Sequence, residues 1–495
     1  MERLEFSKKM IRVVFMLLPA LAFIPVKAQE QPIALSLEKA LEIAMSENPT
    51  VKVAEQEIEK KKYAKKGAYA ALFPQVNFGA DYSRTLKKQI VYFGESGGFE
   101  SMFDPLINGA EKLISGYVPD YTPGSLAAAI GEASQEAARE SASSDGGMEM
   151  GLSNNWSFGF TAGMPLINAA LWKSLSISGQ DVELAIEQAR SSKIDLANQV
   201  KKAYFSVLLA NDSYTVFKES YDNAMKNFLD VRQKYEQGLV AEYDLIRADV
   251  AVKNVEPNML QAENAVKLVK WQLKALLGMD LDLAIECGGK LTDFESELLG
   301  DYITATANAS LDDNTSLKQL DIQNEQLKNT LKLQKLDFIP TLSLSAAYNW
   351  NAMNENFKFK EYRWNPYSMI GISLSFPIFT GGSRVQKANQ TKVTITQLQL
   401  RKEDLERNLQ LVVRQSLDNM NTCVKRYGAA RKGVEQAGRG YMIAQKRYDT
   451  GAGTLLEMND AELAMTQAKL NFNQAIYDYV TAKSDLEKTL GKQAN

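Results

Sequence analysis

An unbroken heptad pattern runs through residues 200–235, VKKAYFSVLLANDSYTVFKESYDNAMKNFLDVRQKY. Its apolar or small residues recur from Val200 to Tyr235 in steps of three and four, as the seam of a coiled coil requires. A second seam with the same steps runs through residues 413–448. The first pattern predicts a helix over about 168–237, which would be roughly 105 Å long at 1.5 Å per residue.

The two seams belong to a longer internal repeat. The turn Tyr235-Glu236-Gln237-Gly238 recurs as Tyr448-Asp449-Thr450-Gly451. The order of these and other landmarks predicts two structural repeats, each made of helix, strand, long loop, strand and two helices. We expect the first repeat at residues 29–280, a linker at 281–310 and the second repeat at 311–495. The first repeat carries the longer loop, at residues 86–153.

Four segments of the chain alternate between apolar residues and small or polar ones. They lie at residues 76–82, 156–162, 342–350 and 370–376. This alternation is typical of membrane strands with one face toward lipid and the other toward a lumen. Aromatic residues near the loop ends fit an interfacial girdle: Trp156, Tyr348, Trp350 and Trp364. The alternative is a soluble sheet, whose strands also alternate.

Four strands are too few to close a barrel within one chain. An open sheet edge in hydrocarbon would leave backbone groups unpaired, at a cost of several kcal/mol each. Two copies would give 8 strands and a filled interior, whereas three would give 12 and room for a channel. The strands therefore predict an oligomer.

The N-terminus has the pattern of an export signal. Lys8, Lys9 and Arg12 precede an apolar run that ends in Val26-Lys27-Ala28, a small-x-small cleavage pattern. We expect a signal peptide at residues 1–28. The alternative, an uncleaved membrane anchor, needs about 20 apolar residues, and this run is shorter.

The composition argues against several classes of protein. The chain has no histidine, which excludes imidazole catalysis and imidazole metal sites. Its net charge of −3 is atypical of a nucleic-acid binder. We expect no enzyme, no cofactor and no metal site. Of the two cysteines, Cys423 occupies the second seam and is predicted to be buried, while Cys287 lies in the predicted linker.

Three local strings occur in a characteristic order along this repeat: Glu47-Asn48-Pro49, Gln237-Gly238-Leu239-Val240-Ala241 and Leu277-Gly278. With the repeat and the paired strands, they make the chain resemble the TolC family of outer membrane efflux proteins over nearly its whole mature length. The resemblance implies an α+β membrane protein in the outer membrane of a Gram-negative bacterium. It implies a homotrimeric β-barrel with four strands per chain, continuous with a long α-helical coiled-coil barrel in the periplasm.

The resemblance also implies a function and partners. The chain would be the exit duct of a tripartite efflux pump, exporting small molecules with a periplasmic adaptor protein and, through it, an inner membrane pump. A type I protein secretion duct is the alternative within the same fold. A coiled-coil surface protein without a pore is the alternative from another class.

Two glycines, Gly238 and Gly451, each end a long predicted helix, as a left-handed C′ glycine does. In the family such hairpin tips close the tunnel and receive the adaptor. The residues that the resemblance implies for adaptor docking are Gly238, Leu239, Val240, Ala241, Gly451, Ala452, Gly453 and Thr454. The alternative is that the glycines only turn the chain.

The resemblance implies a periplasmic gate at the second tip. Two acidic residues follow the inner glycine by six and nine positions in the family, which gives Glu457 and Asp460. Six carboxylates from three chains would attract cations to the entrance. The alternative for Glu457 is a capping box with Thr454. Without histidine, a pH response of this gate is expected nearer pH 4 to 5, in order of magnitude, than pH 6.5.

A tyrosine and an aspartate fasten the two hairpins of the family to each other. The matching residues are Tyr448 and Asp244, although Tyr448 also ends the seam and has core packing as its alternative role. The family places a basic residue where this chain has Gly453, which predicts a looser or differently fastened gate.

Overall fold

The structure is a computed structural model that describes residues 33–91, 100–118, 122, 124–126, 128–130, 132, 148–295 and 309–492. The predicted signal peptide at residues 1–28 lies outside the described residues and stays a prediction. Parts of the 86–153 loop and of the 281–310 linker also lie outside them.

The helices of the described residues are α1 (Leu37–Glu47), α2 (Pro49–Ala70), α3 (Glu100–Tyr117), α4 (Ala169–Glu236), α5 (Glu242–Leu277), α6 (Thr315–Leu336), α7 (Ser383–Asp449) and α8 (Leu455–Thr489). The strands are β1 (Ile33–Leu35), β2 (Gln75–Arg84), β3 (Gln89–Val91), β4 (Met148–Met150), β5 (Asn154–Ile167), β6 (Ile285–Cys287), β7 (Thr341–Asn354) and β8 (Asn365–Ser375). Helices α4 and α7 contain 68 and 67 residues, so the very long helices predicted from the seams are observed.

The chain divides into two compact units. The described residues within Met1–Ala64, Ser178–Lys328 and Thr391–Asn495 form the helical unit, and those within Lys65–Ile177 and Asn329–Gln390 form the sheet unit. Each unit draws on both predicted repeats. The repeat boundaries at 29–280, 281–310 and 311–495 therefore stay a prediction.

The core of the helical unit contains part of the first seam. Val200, Val207 and Val231 are fully buried, and Ala224 is nearly so. Tyr235 differs, because 39% of it is exposed at the end of α4.

Two asparagines tie the short helices to the ends of the long ones. Asn48 Nδ2 donates to the carbonyl of Leu276 at 2.7 Å, and Asn314 Nδ2 donates to the carbonyl of Thr489 at 2.8 Å. Gly491 has φ +72°, and a Cβ there would lie 2.1 Å from the carbonyl oxygen of Asp313. Only glycine fits at this position, because any side chain would collide with the backbone.

The described residues of the sheet unit form a four-stranded antiparallel sheet in the order β2-β5-β7-β8 and a two-stranded antiparallel sheet of β3 and β4. Phe78 pairs with Phe160, and Phe160 pairs with Tyr348. Directly paired residues share a face, so these rings lie on one face of the sheet, together with Ile370 and Ile372 of β8. Phe78 is 60% exposed and Ile370 is 76% exposed. The alternation predicted for four strands is thus observed as an exposed apolar face.

The opposite face of the sheet carries polar and small residues. Asn349 Nδ2 donates to the hydroxyl of Tyr367 at 3.1 Å, and Ser343 and Ser373 share a hydrogen bond of 2.7 Å. A Cβ at Gly159 would lie 2.1 Å from Asn349 Oδ1, so this face leaves no room there for a side chain.

Candidate functional site

The first hairpin joins α4 to α5 through a tight glycine turn. Gly238 has φ +72°, and its N–H donates to the carbonyl of Tyr235 at 2.9 Å. The N–H of Leu239 donates to the carbonyl of Lys234 at 2.8 Å. These two bonds form a Schellman motif, which ends α4 as the sequence predicted. Leu239 is left 69% exposed at the tip.

The second hairpin joins α7 to α8 and repeats this geometry. Gly451 has φ +70°, and its N–H donates to the carbonyl of Tyr448 at 3.0 Å. The N–H groups of Ala452 and Gly453 both donate to the carbonyl of Arg447, at 2.8 and 2.9 Å. Thr454 then begins α8 as its N-cap and accepts a hydrogen bond from the N–H of Glu457.

Arg447 fastens the second hairpin from inside the turn. Its Nη2 donates to the carbonyl of Ala452 at 3.1 Å, and its Nη1 lies 3.5 Å from Glu457 Oε2. The Glu457 carboxylate thus faces a guanidinium. Arg447 was not predicted from the sequence, because the family places its basic residue at the position of Gly453. A Cβ at Gly453 would lie 3.0 Å from Arg447 Cβ.

A small apolar cluster joins the two hairpins within the helical unit. Val231 of α4, Ala248 of α5, and Leu455 and Met458 of α8 form its buried centre. Val240, which was predicted for docking, and Tyr448, which was predicted for the gate, both pack against this centre. We call these residues the tip cluster. It brings one predicted docking residue together with one predicted gate residue.

Tyr448 and Asp244 lie close enough to interact electrostatically. Burial and the charge of Asp244 raise the pKa of Tyr448, and Asp230 and Asp449 add to this effect. Lys234 Nζ lies 5.0 Å from the centroid of the Tyr448 ring. No hydrogen bond joins Tyr448 to Asp244 in the described part of the chain. Both roles considered for Tyr448 are thus compatible with its position.

The two acidic residues predicted for the gate are exposed. Glu457 is held near Arg447, whereas Asp460 lies one turn further along α8. A third acidic residue, Glu462, is buried at 8% exposure and was missed by the sequence analysis. Burial raises its pKa to about 7, although a hydrogen bond with Asn223 lowers it in part. Glu462 Oε1 has no hydrogen-bond partner among the residues that the structure describes. Glu462 was not among the residues predicted for the gate, so the pH response expected of the gate stays a prediction.

The described residues offer little for metal or thiol chemistry. No group of three potential metal-ligating side chains occurs among them. Both cysteines are free and buried. Burial raises the pKa of Cys287 to about 11 and also raises that of Cys423, so both thiols are held protonated. The prediction that Cys423 is buried is confirmed.

The helices that the structure describes include none that is both apolar enough and long enough to cross a bilayer.

Comparison with known families gives the decisive observation. The family model described as "Outer membrane efflux protein" matches residues 131–279 and 306–492, more than half of the chain. The chain belongs to this family. It is thus an outer membrane channel of a Gram-negative bacterium, and it acts as an exit duct.

Curated relatives of this member of the family include outer membrane and secretion proteins. Outer membrane protein TolC of Vibrio cholerae is 23% identical over 337 residues, which cover 68% of this chain and 76% of that protein. Alkaline protease secretion protein AprF of Pseudomonas aeruginosa is 23% identical over 301 residues, covering 60% of this chain and 62% of that protein.

Two solved structures share the fold of this chain. The CmeC outer membrane channel of Campylobacter jejuni superimposes with a TM-score of 0.64 at 18% identity, covering 93% of this chain and 87% of that one. The open state of the MtrE outer membrane channel of Neisseria gonorrhoeae gives a TM-score of 0.65 at 16% identity, covering 92% and 89%. The family contains channels rather than enzymes. Membership of this family argues against the alternative, a surface protein without a pore.

Proposed function

We propose that three copies of this chain form one channel, which exports small molecules as the exit duct of a tripartite efflux pump. The observation that carries the proposal is the sheet β2-β5-β7-β8, whose apolar face is exposed. Among the described strands, β2 pairs only with β5 and β8 pairs only with β7. Edges of this kind need partners in a membrane, and three copies would close 12 strands into one barrel.

The polar face of the same sheet supports a water-filled lumen. Gly159 and Gly163 have no side chains that would project from this face, while Asn349 and Ser345 supply polar groups. Larger closed barrels hold an aqueous interior, whereas small ones are filled by side chains. A trimeric barrel lined by this face would therefore leave an aqueous path for solutes.

We infer that the second hairpin carries the periplasmic gate. Glu457 and Asp460 are exposed on α8, and three copies would present six carboxylates around the entrance. Tyr448 and Asp244 would link the two hairpins through the tip cluster. The Arg447–Glu457 contact would hold the closed form in place of the basic residue that this chain lacks at Gly453.

We infer that the hairpin tips receive a periplasmic adaptor. Leu239 is 69% exposed, and Tyr243 and Ile246 beside it on α5 are 67% and 55% exposed. Leu239→Asp should abolish crosslinking to the adaptor and efflux in cells, while the protein stays in the outer membrane. Leu400→Asp on α7, at a residue 60% exposed, is the matched control. Unchanged efflux and crosslinking in the Leu239 variant would remove these tips from the docking surface.

A type I protein secretion duct is the second candidate. It is favoured by the similarity to AprF, whose name assigns it to alkaline protease secretion. Deleting the gene and measuring both drug accumulation and secreted protein separates the two candidates. Drug accumulation with normal secretion supports efflux, and the reverse supports secretion.

Assembly can be tested on the full mature chain purified from outer membranes. Membranes are first washed with carbonate and urea, and the mass of the extracted protein is then measured in detergent. The proposal expects the protein to resist both washes and to have three times the mass of one chain. A protein that washes off, or one that is monomeric or dimeric, contradicts the trimeric barrel.

A further inference from the structure

The loop that joins β7 to β8 folds back over the sheet. We call residues 355–364 the strap. Three of its rings contact rings of β2 and β5, with centroid distances of 5.9 Å for Phe357 to Tyr82, 5.4 Å for Phe359 to Trp156 and 5.0 Å for Trp364 to Phe158. Tyr82, Trp156 and Phe158 lie on the same face as Phe78 and Ile370. The strap therefore covers one end of the apolar face, not the polar face.

The start of the strap is fixed by a carboxylate. Glu355 accepts hydrogen bonds from Lys88 Nζ and Ser153 Oγ, both at 2.5 Å, and its carbonyl accepts one from Asn154 Nδ2 at 3.1 Å. The bond from Lys88 holds the pKa of Glu355 below its usual range. Further along, the hydroxyl of Tyr362 donates to the carbonyl of Asn356 at 2.8 Å, and Tyr362 is 6% exposed. The strap is thus an ordered element with its own small core.

The outer surface of the strap is both aromatic and basic. Phe357 and Phe359 remain 51% and 55% exposed although one side of each ring is packed. Exposed basic residues lie on the strap and at or just after the end of β2: Arg84, Lys87, Lys358, Lys360 and Arg363. Arg84 lies 5.9 Å from the Phe357 ring centroid. Of the two acidic residues of the strap, Glu361 pairs with Lys358 and Glu355 with Lys88, which leaves an excess of positive charge.

We propose that the strap is a membrane anchor, whose rings lie among lipid headgroups and whose basic residues bind the phosphate groups of anionic lipid in the outer leaflet. The inference rests on the proposed function, because it takes the apolar face as the face toward lipid. Aromatic side chains favour the membrane interface, and basic residues near an anionic surface each add attraction. The strap carries both aromatic and basic residues, and it lies at the loop end of the apolar face of the sheet.

Lipid binding by the purified protein tests the proposal. The full mature chain is isolated in neutral detergent and titrated with lipid A, which carries phosphate groups, or with zwitterionic phosphatidylcholine. Bound lipid is counted by native mass spectrometry. The triple variant Lys358→Gln, Lys360→Gln, Arg363→Gln is compared with a control, Lys253→Gln, Lys425→Gln, Lys432→Gln, in which three exposed lysines of the helical unit are neutralised.

We expect wild type and control to bind lipid A in preference to phosphatidylcholine, and the strap variant to bind it at least about fivefold more weakly. The difference should shrink at high salt, because charge attraction is screened. Equal binding of lipid A by the strap variant and wild type overturns the inference, as does equal binding of both lipids by wild type.

Ion conductance is measured on the same preparations to separate the two proposals. If the wild-type protein conducts ions and the strap variant binds lipid A as strongly as wild type, only the membrane-anchor proposal is refuted. A wild-type protein that neither assembles nor conducts refutes the proposed function. A second variant, Phe357→Ser with Phe359→Ser, should also weaken lipid A binding. In this variant the Lys88–Glu355 pair still holds the strap in place. Unchanged lipid A binding would show that the two rings take no part in the anchor.

Discussion

Arg447 Nη1 lies 3.5 Å from Glu457 Oε2 across the turn between α7 and α8. The contact joins the last turn of one long helix to the first turn of the next. Both side chains are about half exposed, at 55% and 48%, so the pair contributes less than about 1 kcal/mol to the stability of the chain. We expect the Arg447–Glu457 pair to affect the conformation of the second hairpin tip instead.

Arg447→Gln should open the entrance while the fold is retained. The variant loses both the ion pair and the hydrogen bond to Ala452, so we expect a several-fold rise in single-channel conductance and a melting temperature close to that of wild type. Arg439→Gln is the matched control, since Arg439 forms a comparable pair with Glu435 at 2.8 Å within α7. Equal conductance of the two variants would remove Arg447 from the gate.

Glu462→Gln should stabilise the protein near neutral pH. The folded-state pKa is raised from 4.5 to about 7, so the ionised form is disfavoured by the fold. The resulting penalty is absent below about pH 4.5, grows as the pH rises to 7 and is complete above it. We expect a gain of about 1–3 kcal/mol at pH 8 and none at pH 4, measured by chemical unfolding. The control is Glu457→Gln at an exposed site, and the same gain at both pH values would contradict the explanation.

Asn48→Ala and Asn314→Ala should each destabilise the helical unit. Each substitution removes a bond to a helix-end carbonyl and leaves that carbonyl without its donor, at a cost of about 1–3 kcal/mol. Thermal unfolding followed by circular dichroism would show the loss. Asn258→Ala is the control, because Asn258 is exposed and makes only a 3.4 Å bond within α5. A loss no larger than that of the control would show that these bonds are dispensable.

Glu457→Ala and Asp460→Ala should weaken the cation preference of the channel. Each variant removes three of the six carboxylates expected around the entrance of a trimer. Reversal potentials in a salt gradient report the change, and Asp404→Ala on α7 serves as the control. Selectivity that stays at the wild-type value in both variants would show that these residues do not line the path.

Much of the architecture could be predicted because it is periodic. The steps of three and four placed the first long helix within one residue of each end of α4, and alternation located all four strands of the large sheet. Gly238 and Gly451 could be predicted as helix ends because a positive φ strongly favours glycine. These features depend on residues that are close in the sequence.

The remaining features depend on residues that are distant in the sequence. The strap was missed because its rings meet Tyr82 and Trp156 only after the strands have paired in register. Glu462 was missed because a charged residue beside a seam usually faces solvent, whereas this one is buried and shares a hydrogen bond with Asn223 of α4. Arg447 could have been suspected from its position four residues before Gly451, since the last turn of a helix favours a basic residue.

Conductance of the purified mature chain in a planar bilayer shows whether the chain forms an exit duct. We expect discrete current steps from a protein with the mass of three chains, with a preference for cations. A correctly folded trimer that inserts and gives no current at any voltage, even as Arg447→Gln, would contradict the claim that this chain forms an exit duct.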